Sequence, residues 1–329
     1  MTEAENLRIA LDGGMPHHTP CYWAGASIAI STVIGNIPAP GQKEGYDWWG
    51  VHWTACEEAG GNFSPTANAP TVITDITKWK EQVRFPDIDS IDWEVAAARD
   101  AFMVDPEEVS IFFGLVNGIF ERFHFLRGFE DALCDMVEEP EAVGELISAI
   151  ADFYVRIIEK IGKYYKPEYF VLLDDYAHMD GPFMSLDTFD EIIAPNLKKI
   201  VDAVEANGMK YIHHCCGREE YFLDRFYELG IRRIDPVQPC NNIQAMMEKY
   251  PDMVFIGGLD IQGVIDMPGC TEEDWRAEVR RCIDTYGVNK KGYIIYGATV
   301  SLHDHSAYAP GGKMFSIIDE AVKYAYAKA

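Results

Sequence analysis

Apolar positions along the chain gather into eight short runs, at residues 21–24, 46–53, 110–116, 170–175, 210–217, 231–235, 254–260 and 293–297. Runs of this length, rich in Val, Ile, Phe, Tyr and Trp, read as strands. Several of the segments between them repeat apolar residues at helical spacing. Pro140 opens the longest, with Val143, Leu146, Ile147, Ile150, Tyr154, Ile157, Ile158 and Ile161 on one face. Ser185 reads as the N-cap of the next, which Pro195 should kink or restart and Gly208 should close. Gly230 ends a helix that begins near Glu219. Thr271, with Asp274 at the fourth position, opens another in the manner of a capping box, and a last helix runs from Lys313.

From the fourth run onward strand and helix alternate without a break, which implies a parallel sheet. Eight such units in ~300 residues fit a (β/α)8 TIM barrel formed as a single domain over residues 1–329. The alternative, an open doubly wound sheet, is disfavoured because no Gly-x-Gly-x-x-Gly follows an early strand. The stretch 53–110 has little periodicity and carries Pro65, Pro70 and Pro86. It reads as an excursion over the barrel mouth rather than a second domain.

Composition narrows the partners. The 329 residues carry a net charge of −25, which argues against nucleic acid and anionic membrane surfaces. A hydrophobic fraction of 48% secures a large core, yet no apolar run approaches the ~20 residues that span a bilayer. The N-terminus lacks a signal-peptide pattern, and eight scattered cysteines do not look like a disulfide framework, so a reducing cytoplasm is expected.

The candidate chemistry sits at the ends of the runs, where a TIM barrel places its working residues. His52 follows the second, Asn117 the third, Asp174 and Asp175 the fourth, Asp235 the sixth and Asp260 the seventh; His303, Asp304 and His305 come after the eighth. Strand alternation allows only one of Asp174 and Asp175 to face the site. The fifth run, 210–217, ends in two histidines, two cysteines and a glycine. Its period puts His214 and Cys216 on one face and His213 and Cys215 on the other, and either pair could hold zinc. Trp48, Trp49 and Trp53, with Tyr46 and His52, form an aromatic group in which one or two rings could stack on a flat ligand.

Three stretches resemble the uroporphyrinogen decarboxylase superfamily, within its cobalamin-dependent methyltransferase branch: residues 47–53 with 72–79 and 83–87, residues 174–185, and His214-Cys-Cys-Gly217. The last matches the family's His-x-Cys-Gly, whose His and Cys are zinc ligands in its coenzyme M methyltransferases; the likeness therefore selects His214 and Cys216. Those enzymes take a third cysteine from the end of the eighth strand, where this chain reads Tyr296-Gly-Ala-Thr-Val300. A zinc ion here needs another ligand, for which His303, His305, Asp174 and Asp260 are candidates.

The resemblance implies the first methyltransferase of a corrinoid-dependent O-demethylase. Such an enzyme moves a methyl group from an aryl methyl ether (a methoxyarene) to cob(I)alamin on a separate corrinoid-binding protein. His214, Asp174 or His52 would supply a proton, and Trp48, Trp49, Asn117, Asp175 and Asp260 would bind substrate. The alternatives are a methyltransferase for a thiol, an amine or a methylcobamide, a decarboxylase, or a silent corrinoid- or arene-binding protein. Uroporphyrinogen itself fits poorly, because its eight carboxylates call for arginines and only Arg8 precedes Arg84.

Overall fold

The computed structural model describes residues 1–29, 31–38, 42–56, 62–100, 108–298, 307 and 309–329. Its main sheet has seven parallel strands that pair in sequence order. We label them β1 (Ala26–Ala29), β2 (Ser110–Leu115), β3 (Tyr169–Leu173), β4 (Lys210–His214), β5 (Arg233–Val237), β6 (Val254–Gly258) and β7 (Tyr293–Tyr296). Ile295 of β7 forms an isolated parallel bridge with Cys21, and its N–H donates to the Pro20 carbonyl at 2.9 Å. The chain segment that leads into β1 thus meets the last strand, in a TIM-barrel-like α/β fold.

Two of the eight expected strands are different elements. Residues Tyr22–Gly25 form a helical turn and the strand starts at Ala26. There the backbone runs close to the N-terminal helix: a Cβ on Gly25 would lie 2.7 Å from the Glu3 carbonyl oxygen. The second run is broken by a turn. Asp47 Oδ1 accepts the N–H groups of Trp49 and Val51, and Gly50 takes φ +88°. Its two halves join an antiparallel sheet of Glu44–Tyr46, His52–Cys56 and Asn62–Pro65, outside the barrel. The other six runs are β2 to β7.

The helix expected from Pro140 spans Pro140–Tyr164 and buries the anticipated face. Pro195 sits at the start of Ala194–Ala206, after a π-helical turn, and Thr271 and Asp274 complete a reciprocal cap. No helix among the described residues is long and apolar enough to cross a membrane.

Two packing features decide where a site can form. The helix Glu3–Leu11 sets Leu7, Ala10 and Leu11 in one apolar cluster with Phe112, Tyr169, Ile212, Val254 and Ile294, so the N-terminal end of the barrel is filled. Much of the 53–110 excursion packs in the outer core with the Pro140–Tyr164 helix. Its junction is held by Arg122, fully buried, which donates to Asp47 Oδ2 at 2.6 Å and to the Asn36 carbonyl at 3.0 Å. Open space remains at the C-terminal end of the strands.

Candidate metal centre at the strand ends

A cavity of about 1250 Å³ occupies that end, and His214, Cys216, Asp235 and Asp260 line it. His214 is the last residue of β4, and the chain continues extended so that Cys216 projects on the same side. His213 and Cys215 point the other way and are fully buried: His213 stacks with Tyr176 and meets Phe226, and Cys215 Sγ accepts the Tyr176 N–H at 3.3 Å. Gly217 then turns at φ +83°, where a Cβ would lie 2.7 Å from the Ala177 carbonyl oxygen, so only glycine fits without movement. The loop after β5 grips this turn: Gln238 Oε1 accepts the Gly217 N–H at 2.6 Å, and Asn241 Nδ2 donates to the Gly217 carbonyl at 2.8 Å.

The adjacent aspartates after β3 separate as strand geometry requires. Asp174 is fully buried and faces the helix Ile119–Arg127, accepting the Phe120 and Glu121 N–H groups and the Tyr176 hydroxyl. Burial raises its carboxyl to about 7, even though these donors oppose the shift. Asp175 faces the other way, and its Oδ1 accepts the Cys216 N–H at 2.6 Å. One ligand atom each from Asp175, His214 and Cys216 lies within 4.8 Å of the other two.

The imidazole is poised between two partners. His214 Nε2 is 3.5 Å from Cys216 Sγ, and Nδ1 is 3.2 Å from Asp235 Oδ1, an ion-pair contact when the ring is protonated. Burial alone would lower His214, but Asp235 and Cys216 hold it well above its ordinary value. Burial and Asp175 raise the Cys216 thiol against the pull of His214. Two further acids stand near. Burial, with Asp175 and Asp174, keeps Glu121 well above the usual carboxylate range. Glu219 is fully buried with neither oxygen hydrogen-bonded, and burial with Asp235 raises it in the same way.

A divalent cation answers this arrangement. Carboxylate, imidazole and thiolate are all zinc ligands, and Asp235 behind Nδ1 is the kind of carboxylate that orients a metal-bound histidine. The donor set therefore fits zinc.

Other expected residues lie elsewhere. His52 hydrogen-bonds Thr66 Oγ1 at 2.7 Å and lines a separate cleft with His124 and Phe129. Trp48 and Trp49 both donate from Nε1 to Asn36 Oδ1 and pack on Phe153, away from the cavity. Asn117 is buried, binding the Asn36 carbonyl through Nδ2 and the Tyr154 hydroxyl through its own carbonyl. Asp260 lines the cavity while its side chain accepts the Gly263 N–H at 2.7 Å. His303 and His305 lie outside the described residues. Conversely, sequence reasoning did not single out Glu121, Gln238 or Tyr296. Tyr296 stands at a strand end, where the same rule that found Asp260 applies.

Fold and site together define a TIM-barrel-like protein with a metal-competent centre at the C-terminal ends of its strands. Residues 60–299 match the family model described as Uroporphyrinogen decarboxylase (URO-D). The chain belongs to that family. Among solved structures it is similar to a methyltransferase from Methanosarcina mazei, with a TM-score of 0.64 and 13% identity, covering 98% of this chain and 99% of that one. A likeness to xylanase B from Clostridium stercorarium F9 is slight, with a TM-score of 0.37 and 11% identity over 64% of this chain and 74% of that one. No curated protein sequence matches.

Proposed function

We propose that this protein is a cytoplasmic methyltransferase of the URO-D family. In this reading it takes the methyl group of an aryl methyl ether and passes it to a corrinoid carried by a separate protein. The observation that carries it is the Asp175, His214 and Cys216 triad beside a large, mainly apolar cavity. The likeness to a methyltransferase over 98% of this chain supports the same class.

Asp175, His214 and Cys216 would hold zinc, which when bound supplies a Lewis acid for the ether oxygen of a poor leaving group. The protein's own tasks are to orient and enclose. Asp235 fixes the His214 ring, and Gly217 with Gln238 fixes the turn that sets Cys216. The apolar walls hold the ring and keep water from the corrinoid nucleophile, whose reactivity belongs to the cofactor. Asp174 and His52 do not line the cavity, so neither enters this scheme as a proton donor.

The test is metal analysis of purified protein beside turnover with free cob(I)alamin and a panel of methoxyarenes. Stoichiometric zinc and methylcobalamin formation from a methoxyarene are expected. Decarboxylation of uroporphyrinogen, or full turnover by metal-free protein, would overturn the reading.

A further inference from the structure

The wall of the cavity formed by β1 and β7 is aromatic. Tyr22 and Trp23 come from the helical turn before β1, and Tyr296 ends β7. Their ring centroids are 5.3 Å apart for Tyr22 and Trp23, 4.9 Å for Tyr22 and Tyr296, and 5.6 Å for Trp23 and Tyr296. Trp23 Nε1 donates to the Gly297 carbonyl at 2.9 Å, which fixes the plane of its ring. Tyr22 is almost fully buried behind, leaving Trp23 and Tyr296 half-buried. In the strand order β4 lies three places from β1 in one direction and three from β7 in the other. The aromatic wall therefore stands across the mouth from His214 and Cys216.

The charge of the cavity is one-sided. No lysine or arginine is among the described lining residues. Asp235 and Asp260 line it, and Asp175 adjoins Cys216. A ligand carboxylate would lose its hydration here, meet acids and find no guanidinium or ammonium partner. Neutral rings carry no such cost.

We propose that this cavity takes an uncharged methoxyarene, its ring lying against Trp23 and Tyr296, and excludes arenes bearing a carboxylate. The proposal rests on the aryl-ether reading above and assigns the ring-binding wall to residues other than Trp48 and Trp49. A ring on this wall presents its ether oxygen across the mouth toward the metal donors.

Binding without turnover tests it: calorimetric titration of zinc-loaded protein, with no corrinoid, against 2-methoxyphenol, 4-hydroxy-3-methoxybenzoate and benzyltrimethylammonium. The phenol should bind at least about 10-fold more tightly than the acid, and Trp23→Ala should weaken it about 10-fold, the size of one aromatic contact with its buried area. Trp23→Phe should keep most of the affinity, and Trp48→Phe should leave it unchanged. As a gain of function, Gln262→Arg on the cavity lining should shift preference toward the acid. Equal affinity for acid and phenol, tighter binding of the ammonium ion, or a silent Trp23→Ala would each overturn the proposal. If the arenes bind and Trp23→Ala is silent, the proposal falls while the aryl-ether reading above stands. If no arene binds while the loaded protein still methylates cobalamin from another donor, the aryl-ether reading falls as well.

Discussion

Replacing Asp175 by Asn separates a metal centre from a site in which His214 acts alone as an acid. The amide keeps the shape of the carboxylate, and its oxygen can still accept the Cys216 N–H that Asp175 takes at 2.6 Å, so the strand end should stay folded. What disappears is one negative charge from three donors whose ligand atoms lie within 4.8 Å of one another. Residues that merely orient a metal ligand cost 10–100-fold in affinity when removed, so a coordinating carboxylate should cost at least about 100-fold, or ~2.7 kcal/mol. Competition against a chromophoric chelator measures this directly, and Cys216→Ser should lose as much. Asp174→Asn is the matched control one residue away. Its carboxyl, raised to about 7, serves the Phe120 and Glu121 N–H groups and the Tyr176 hydroxyl, so it should lose about 1–2 kcal/mol of stability and no zinc affinity. Wild-type zinc affinity in Asp175→Asn would refute the assignment. If instead Cys216→Ser is fully active while His214→Ala loses about 10²–10⁴ in rate, His214 is a proton donor without metal.

Three further outcomes follow from the same geometry. Arg122→Met leaves the buried Asp47 carboxylate without its cation and should destabilise by about 3–5 kcal/mol in denaturant titration. Adding Asp47→Leu should not restore the loss, because Asp47 also accepts the Trp49 and Val51 N–H groups and Trp53 Nε1; a loss under 1 kcal/mol for the single variant would contradict it. His213 is buried and held down to about 3 by desolvation, then by His214, so the unfolded chain binds the extra proton below its ordinary value near 6.5. Stability contributed by the neutral ring is therefore complete above pH 6.5 and falls by up to about 1.4 kcal/mol per pH unit toward 3, a slope that His213→Asn should lack. Gly217→Ala strains a φ of +83° and also pushes its Cβ against the Ala177 backbone; it should cost at least about 1–2 kcal/mol and weaken zinc binding, which chelator competition would detect.

The barrel was legible because its later strands alternate with helices, and that alternation admits few folds. The first two runs misled for separate physical reasons. Residues 46–53 look like one strand by composition, but the Asp47 side chain caps its own backbone and Gly50 supplies a positive φ, both local signals of a turn. Residues 21–24 coil because Gly25 allows the backbone to approach the N-terminal helix, a tertiary contact that no local pattern reports. At the site, strand period correctly divided His214 and Cys216 from His213 and Cys215, but could not choose between Asp174 and Asp175. That choice turns on where the helix Ile119–Arg127 begins, since its free N–H groups claim Asp174. The tryptophans of 46–53 were the obvious ring binders by composition, yet the Asn36 side chain and the Pro140–Tyr164 helix hold Trp48 and Trp49 in packing.

The surplus of acid at the mouth connects the metal to the choice of substrate. Asp175, Asp235, Glu121 and Glu219 crowd one imidazole and one thiol, and burial leaves Glu121 and Glu219 held toward their protonated forms. Such a cluster is costly unless protons or a cation neutralise it. A divalent ion on Asp175, His214 and Cys216 neutralises the charge nearest the donors and leaves Asp235 free to orient the His214 ring. It leaves no excess positive field for an anionic substrate, and the described lining offers no lysine or arginine to provide one. The same electrostatics that favour a metal therefore favour a neutral ring, and the aromatic wall across the mouth gives that ring a surface to rest on.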